Sequence, residues 1–545
     1  MHRLEQLLHE RVASGLRRHA ISSCSKWSCE YRMMGQPFPG RWSWEHHPWL
    51  KDMHDCESEL MVGQKSAQMG YTETALNKTF YAIDMNGTSV LYVLPASKPD
   101  ASDFSTSRFD PALESSAHLK SLFTDVQNIN HKRAGYANLF IRGSKSRSQM
   151  KSVPAGLVIL DEVDEMNQKN ISLVFERTSG QLKKQIFMLS TPTIDKFGIN
   201  YYYLQTTQEH YFFRCPHCSK MTELVFPECL MITAEHVLDK NISNSHLICK
   251  ECKQKLEHAS KATWLKGGEW VKTHSDRAAR GFYINQLYSM TITPLNLATA
   301  YFNAQKDPAD EQEFHNSKIG VTHAVKGARV TEADIEACKG SYLQLKTSPE
   351  GSFVTIGIDV GTWLHYVIKQ WWLSQEGSTD LNVNTKCRII RYGKVQHFEE
   401  LDRLVGKYRP QGIVIDANPE RRKAYEFAAR FDGLVKACFY GRGISGRQVI
   451  MHPDESHTMS VDRTSWLDMT LGRYKQHTVT LPTDTDQEYR THIKALVRIY
   501  EKDKDGNPTG RYVKGTEDDH YAHADNYAEI ALQVAASLMR NEDIT

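Results

Sequence analysis

Four groups of residues have the types and spacings that chemistry requires. The first is VGQKSAQMGYTE at 62–73. A phosphate-binding loop reads G-x-x-x-x-G-K-[ST]: backbone N–H groups cradle phosphates, the lysine reaches the β/γ oxygens and the hydroxyl holds Mg²⁺. Aligned on Gly70 and Thr72, that pattern asks for glycine at 65 and lysine at 71, where this chain has Lys65 and Tyr71. Either the loop is broken or its lysine has moved six positions upstream. The loop wraps around the phosphates, so a lysine entering from the strand before it reaches the same oxygens, and Thr72 stays in place for Mg²⁺.

The second group is GLVILDEVDEM at 156–166. An apolar run ending in Asp161 and Glu162 describes a buried parallel strand with two acids at its carboxyl end. One acid suits Mg²⁺ and the next suits orienting or deprotonating water. IFMLSTPT, from Ile186, is a further strand ending in small hydroxyl residues, where a nucleotide-sensing segment would lie. Loop, acid pair and hydroxyl strand in this order, with helix-length spacers, favour a working P-loop ATPase core.

The third group is Cys215-Pro-His-Cys218 and Cys249-Lys-Glu-Cys252, about thirty residues apart. Each C-x₂-C turn places two thiolates on one ion, and two such knuckles complete a tetrahedral Zn²⁺ site. The separation exceeds the usual spacing, which calls for an insertion between the knuckles. Thioredoxin-like redox chemistry competes, but neither pair opens a helix after a strand. A closed four-thiolate site is a structural staple, with DNA contact as a second reading. His217 reads as a turn residue and Cys229 as a buried thiol.

The fourth group is three separated aspartates. FVTIGIDVGTW at 353–363 puts Asp359 inside an apolar strand, a costly position unless the acid is paired, ligates metal or faces outward at the strand end. GIVIDANPERR at 412–422 ends a similar strand in Asp416, and DDHYAHADNYAEIALQVAASL places Asp525 early in a helix. Acids on two strands and a helix can converge on a two-metal site that activates water and stabilises the leaving oxygen. Asp519, His520 and His523 are weaker, outer candidates, and Glu420 reads as a turn acid. Before Asp525, VRIYEKDKDGNPTGRYVKG reads as a hairpin carrying Lys502, Lys504, Arg511 and Lys514, either a basic finger or a solvated surface.

These groups need several domains to position them, and 545 residues exceed what one core usually supports. No apolar run reaches the ~18 residues of a membrane span. MHRLEQLLHERVASGLRRH lacks the apolar block of a signal peptide and reads as an amphipathic helix with Leu4, Leu7, Leu8 and Val12 on one face. A cytoplasmic protein is expected. Eleven cysteines over such a length do not form a secreted disulfide framework. The net charge of +2 is uninformative about nucleic acid, but residues 126–160 hold Lys132, Arg133, Arg142, Lys145, Arg147 and Lys151 with no acid among them, a phosphate-contacting or merely solvated face.

KSAQMGYTE, LDEVDE and STPT, in that order, resemble the ATPase of tailed-phage terminase large subunits, lambda-like class. The resemblance implies an α/β fold: a P-loop (ASCE-type) ATPase domain, a small zinc-ribbon insertion and an RNase H-like nuclease domain. It implies Lys65 as phosphate contact, Ser66, Gly70, Tyr71, Thr72 and Asp161 around ATP and Mg²⁺, Glu162 as catalytic acid and Arg108, in TSRFDPALE, acting on the γ-phosphate. The aromatic stretch 33–55 is similar to the adenine-side segment, and GFYINQLYSM at Gly281 and FHNSKIG at Phe314 extend the likeness. Asp359, Asp416 and Asp525 become ligands of Mg²⁺ or Mn²⁺, and Cys215, Cys218, Cys249 and Cys252 of Zn²⁺.

The expected organisation is a helical arm at 1–30, the ATPase at 31–207, the ribbon at 208–260, a linker or subdomain at 261–350 and the nuclease at 351–545. The implied function is ATP-driven movement of double-stranded DNA into a procapsid and endonucleolytic cutting of concatemers, with mostly phosphate, salt-dependent DNA contacts. The implied partners are a small terminase subunit, a portal protein on the procapsid and further copies in a ring, in the cytoplasm of an infected bacterium. Two other classes stay open. A helicase-nuclease should carry a second motor lobe with its own arginine motif, which is not found. A non-enzymatic zinc-containing DNA-binding protein with a decayed ATPase conflicts with intact Lys65, Thr72, Asp161 and Glu162.

Overall fold

The computed structural model describes residues 21–542, apart from 125, 149–152, 177, 179, 374–380, 432, 442, 445, 453–456 and 504. The expected amino-terminal helix, Lys151 and Lys504 therefore lie outside the described residues. The chain divides into two compact units between His323 and Ala324.

The first unit is built on strands that are buried almost throughout: Leu60–Lys65, Val90–Leu94, Leu157–Asp161 and Gln185–Ser190. Continuous apolar runs of this kind belong in a parallel sheet covered on both faces. In the sheet, Arg280–Ile284 pairs parallel with Leu60–Lys65, then come Gln185–Ser190, Leu157–Asp161, Val90–Leu94 and Ala137–Gly143. The strand Gln185–Ser190 thus separates the phosphate-loop strand from the acid-pair strand. Tyr71–Asn86 is the helix that follows the loop, entered through Gly70 at φ +84.

Two expected boundaries differ. Glu209–Arg214, placed at sequence level inside the ribbon, is a strand of the main sheet beside Arg280–Ile284. The stretch expected to be a linker supplies Arg280–Ile284 itself, next to the phosphate-loop strand. The cysteine ribbon is the excursion between them, with a small sheet of Leu230–Met231, His246–Ile248 and Lys255–Leu256.

In the second unit, Phe353–Val360, Leu364–Leu373 and Thr385–Val395 form an antiparallel meander. Gly412–Asp416 then lies parallel to Phe353–Val360, followed by Val435–Tyr440 and Thr458–Val461. The helix His520–Glu542 lies directly on this sheet, and Gly357 makes the contact possible: a Cβ there would sit 2.0 Å from Ala524 O and Ala528 N. The expected hairpin is present as Leu496–Lys502 and Pro508–Lys514. Two of its cations are already paired, Arg511 with Glu501 at 3.1 Å and Lys514 with Asp519 at 2.7 Å.

Candidate functional site

Lys65 ends its strand buried, with Nζ 3.1 Å from Glu162 Oε1. The loop beyond it is held from outside. Ser66 N–H donates to Ile284 O at 2.9 Å and Ala67 N–H to Ser317 O at 2.7 Å, while Gln286 Nε2 and Trp49 Nε1 donate to the carbonyls of Ala67 and Met69. GFYINQLYSM and FHNSKIG are therefore the loop's scaffold, and Trp49 brings the aromatic 33–55 stretch beneath it. Gly320 closes the arrangement: its φ is +73 and a Cβ would lie 2.7 Å from Ser66 N. The first-turn N–H groups of Tyr71, Thr72 and Glu73 have no intrahelical acceptor and stand at the positive end of a 16-residue helix, an anion site by construction.

Two of the residues expected around ATP have groups engaged away from the phosphate side. Tyr71, at the usual lysine position, is 1 % exposed and packs its ring on Gly63, where a Cβ would meet Tyr71 Cδ2 at 2.6 Å. Burial pushes its phenol well above the ordinary value, so its side chain is core and only its amide can face phosphate. Ser66 is buried with its amide donated to Ile284 O, while its hydroxyl has no hydrogen-bond partner among the described residues.

Asp161 is buried, and desolvation, with the Glu162 charge adding to it, raises its carboxyl to about 6. Tyr92 donates to Oδ2 at 2.6 Å, and Oδ1 has no hydrogen-bond partner among the described residues. A buried, unpartnered carboxylate oxygen beside the Thr72 hydroxyl fits Mg²⁺. Glu162 adopts φ +63, an uncommon conformation for a residue with a side chain. Its Oε2 accepts from Ser190 Oγ at 3.4 Å, and it shares a cavity of about 490 Å³ with Arg108, Lys145, Asp100 and Glu165. Arg108 is more than half exposed there, its Nη1 3.6 Å from Glu73 Oε1. Asp164 accepts from the amides of Thr193 and Ile199 at 2.8 and 2.7 Å, tying the acid turn to the STPT segment. The basic run does not act as one face: Lys132 is buried against Asp110 at 2.6 Å, whereas Lys145 lines the cavity.

The four knuckle cysteines bring their sulfurs within 4.8 Å of one another, with Cys215 Sγ 3.9 Å from Cys252 Sγ. Both knuckles are built alike. Ser219 and Lys253, each at φ +59, donate their amides to Cys215 O and Cys249 O, and His217 and Glu251 donate theirs to Cys215 Sγ and Cys249 Sγ at 3.4 Å. A tetrahedral ion with bonds of about 2.3 Å separates its sulfurs by about 3.8 Å, so the donor set fits Zn²⁺. Cys229 is buried outside this set, as the sequence suggests.

In the second unit Asp359 and Asp416 end adjacent parallel strands. Burial first, then the Asp359 charge, raises Asp416 to about 7. His520 Nδ1 lies 2.8 Å from Asp359 Oδ2, and His365, across the antiparallel pair from Asp359, stacks on His520 with ring centroids 4.6 Å apart. His523 shares a hydrogen bond with Tyr440 at 3.0 Å and lies 3.2 Å from Asp519.

Asp525, the third expected ligand, has its carboxylate held elsewhere. It is fully buried, with Lys369 Nζ 2.7 Å from Oδ1 and the Tyr474 hydroxyl donating to Oδ2 at 2.6 Å. Lys369 also pairs with Glu529, which Arg473 holds at 2.7 Å. Five residues along a helix rotate a side chain to about 140° from its starting direction, so His520 and Asp525 cannot share a face. His365 was not singled out in the sequence, because cross-strand register leaves no mark in residue spacing.

The family model of the phage terminase large subunit gpA ATPase domain matches residues 36–270, and that of the terminase large subunit gpA endonuclease domain matches residues 279–541. No curated protein matches the chain. Among solved structures, the large terminase of bacteriophage HK97 aligns with a TM-score of 0.52 and 9 % identity over 94 % of this chain and 99 % of that one, a likeness of fold. The large terminase of a thermophilic bacteriophage aligns at 0.30 and 10 % identity over 86 % and 93 %. With two consecutive domains of one family spanning nearly all of its length, the chain belongs to the phage terminase large subunits of the gpA family, an ATPase domain followed by an endonuclease domain.

Proposed function

We propose that this terminase large subunit hydrolyses ATP at a phosphate loop whose lysine is Lys65, and cuts DNA at a cation centre on Asp359 and Asp416. The observation that carries the ATPase reading is the contact between Lys65 Nζ and Glu162 Oε1. It places a cation and a carboxylate at the carboxyl edge of the sheet, above the amides of the Tyr71–Asn86 helix. Lys65 neutralises phosphate charge, and its movement towards phosphate frees Glu162 to orient water. Thr72 and Asp161 hold Mg²⁺, which supplies further charge neutralisation at the phosphates. Arg108, in the same cavity as Glu162, approaches the γ-phosphate end.

Cys215, Cys218, Cys249 and Cys252 hold Zn²⁺ as a structural staple. Asp359 and Asp416 hold the divalent cation of the nuclease, with His523 and Asp519 behind them, while Asp525 supports the core. The partners are double-stranded DNA, contacted mainly through phosphates, a small terminase subunit and a portal protein, with several copies acting as a ring inside the infected host cell. No helix among the described residues is long and apolar enough to cross a membrane.

DNA-stimulated ATP hydrolysis by wild type and Lys65→Ala, compared at equal folded concentration, tests the reading. Loss of turnover with retained folding supports it. Equal turnover removes Lys65 from the site.

A further inference from the structure

We infer that, on the side of Asp359 away from Asp416, His365 and His520 join Asp359 around one cation of the nuclease centre, giving it a donor set of two imidazoles and one carboxylate that prefers a first-row transition dication such as Mn²⁺ to Mg²⁺. The inference rests on the reading of Asp359 as part of the nuclease centre.

Asp359 and His365 face each other across the antiparallel pair of Phe353–Val360 and Leu364–Leu373, so their side chains emerge on the same face of the sheet. His520 opens the helix that lies on that face and brings Nδ1 to 2.8 Å from Asp359 Oδ2. The two rings are parallel to within 6°. One ligand atom from each of the three residues lies within 4.8 Å of the others. A cation with bonds of about 2.1 Å holds neighbouring ligand atoms about 3.0–3.4 Å apart, so closure draws the three atoms together by at most about 1.8 Å.

His365 supplies the independent sign. It is 4 % exposed, and its Nδ1 has no hydrogen-bond partner among the described residues. A buried ring nitrogen left in this way is costly and calls for an explanation. Its other neighbours do not provide one. His492 contacts both rings at 5.8 Å between centroids, but its own Nδ1 accepts the amide of Tyr521 at 3.4 Å. Tyr521 meets His365 edge-on through its ring. Mg²⁺ retains oxygen ligands and binds imidazole poorly, whereas two histidines and a carboxylate form a known class of transition-metal site.

The test is Mn²⁺ titration of the full chain without nucleotide, read by electron spin resonance with pulsed detection of ¹⁴N coupling and repeated in competition with Mg²⁺. Neither the cysteine cluster nor the Thr72 and Asp161 pair offers a nitrogen ligand, so the nitrogen signal isolates this site. Wild type should show imidazole coupling, and His365→Phe, which keeps the ring volume, should weaken it and reduce the preference for Mn²⁺ over Mg²⁺ at least tenfold. Should that variant fail to fold, His520→Gln, at a partly exposed position, reads the same loss. Bound Mn²⁺ without nitrogen coupling, or an unchanged preference in the variants, overturns the inference. If cleavage is nevertheless lost in Asp359→Asn, the nuclease reading survives that result. Wild-type cleavage by Asp359→Asn would overturn both.

Discussion

Lys65 Nζ lies 3.1 Å from Glu162 Oε1 although their strands are separated in the sheet by a third, Gln185–Ser190. The pair fixes the lysine on the phosphate side, while Tyr71 fills the space behind the loop. Restoring a lysine at 71 should therefore not compensate for its loss at 65. Lys65→Ala should lower ATP turnover about 100- to 1000-fold, the usual cost of removing a preorganised charge donor. Lys65→Ala/Tyr71→Lys should remain as inactive and melt lower, because the new ammonium is buried without a partner. Tyr71→Phe should retain turnover, since the hydroxyl has no hydrogen-bond partner among the described residues. Steady-state hydrolysis and thermal melting of the three variants check this, and recovery in the double variant would count against it.

Gly320 is far from the loop in sequence and in contact with it in space. Gly320→Ala places a methyl group against Ser66 N and Lys65 C, at 2.7 and 2.9 Å, in a backbone conformation that disfavours a side chain. We expect the KM for ATP to rise at least tenfold with little change in helical content. Nucleotide titration beside circular dichroism reads both quantities, and an unaltered KM would show that the loop tolerates displacement.

The two expected nuclease acids that differ most in setting are Asp359 and Asp525. Asp525→Asn leaves Lys369 and Arg473 buried against Glu529 alone. Breaking a buried pair from one side costs about 3–5 kcal/mol. Denaturant unfolding of the second unit should show this loss, whereas Asp359→Asn should fold normally and lose cleavage. The reverse pattern would return Asp525 to the cation site.

Elemental analysis should find one zinc per chain, bound at the cysteine cluster. Chelation, or Cys249→Ser, should lower the melting transition of the first unit and leave that of the second in place. A protein free of zinc with an unchanged melt would leave the cluster as four thiols.

His54 is bonded to the helix that follows the phosphate loop, its Nδ1 2.7 Å from Leu50 O and its Nε2 3.0 Å from Asn77 Nδ2. Donating to the carbonyl and accepting from the amide requires the neutral ring, and complete burial depresses its pKa from 6.5 to about 3. Between those values unfolding takes up a proton, so this contribution is complete above pH 6.5 and declines as pH falls towards 3. At pH 5.5 the loss is about 1.4 kcal/mol. Melting of wild type and His54→Gln at pH 7.5 and 5.5 should show a smaller acid-induced drop in the variant, and equal drops would assign the effect to other groups.

The order of the motifs carried most of the architecture, because each describes local chain: a strand ending in Lys65, a strand ending in Asp161, two cysteine turns, strands ending near Asp359 and at Asp416. What stayed hidden depends on distant pairing or on angle. Arg280–Ile284 joins Leu60–Lys65 across more than two hundred residues, and parallel pairing over that distance leaves no local spacing to read. His365 meets Asp359 through strand register. Asp525 shares the helix of His520, but its carboxylate is held by Lys369, a buried cation on a strand whose pairing no residue spacing reveals.

The placement of Arg280–Ile284 also bears on how the protein is made. At roughly 5–20 residues per second, a ribosome needs about 10–40 s after completing Leu60–Lys65 to supply the strand that covers its outer side. Gln185–Ser190 arrives earlier, so for the remaining interval the loop strand is an exposed sheet edge able to pair with the wrong chain. The cysteine ribbon is synthesised within that interval. A fragment ended after the ribbon would keep this unfinished edge permanently, so expression of the ATPase half should extend through Gly320, and chaperone demand should be greatest while the ribbon is emerging.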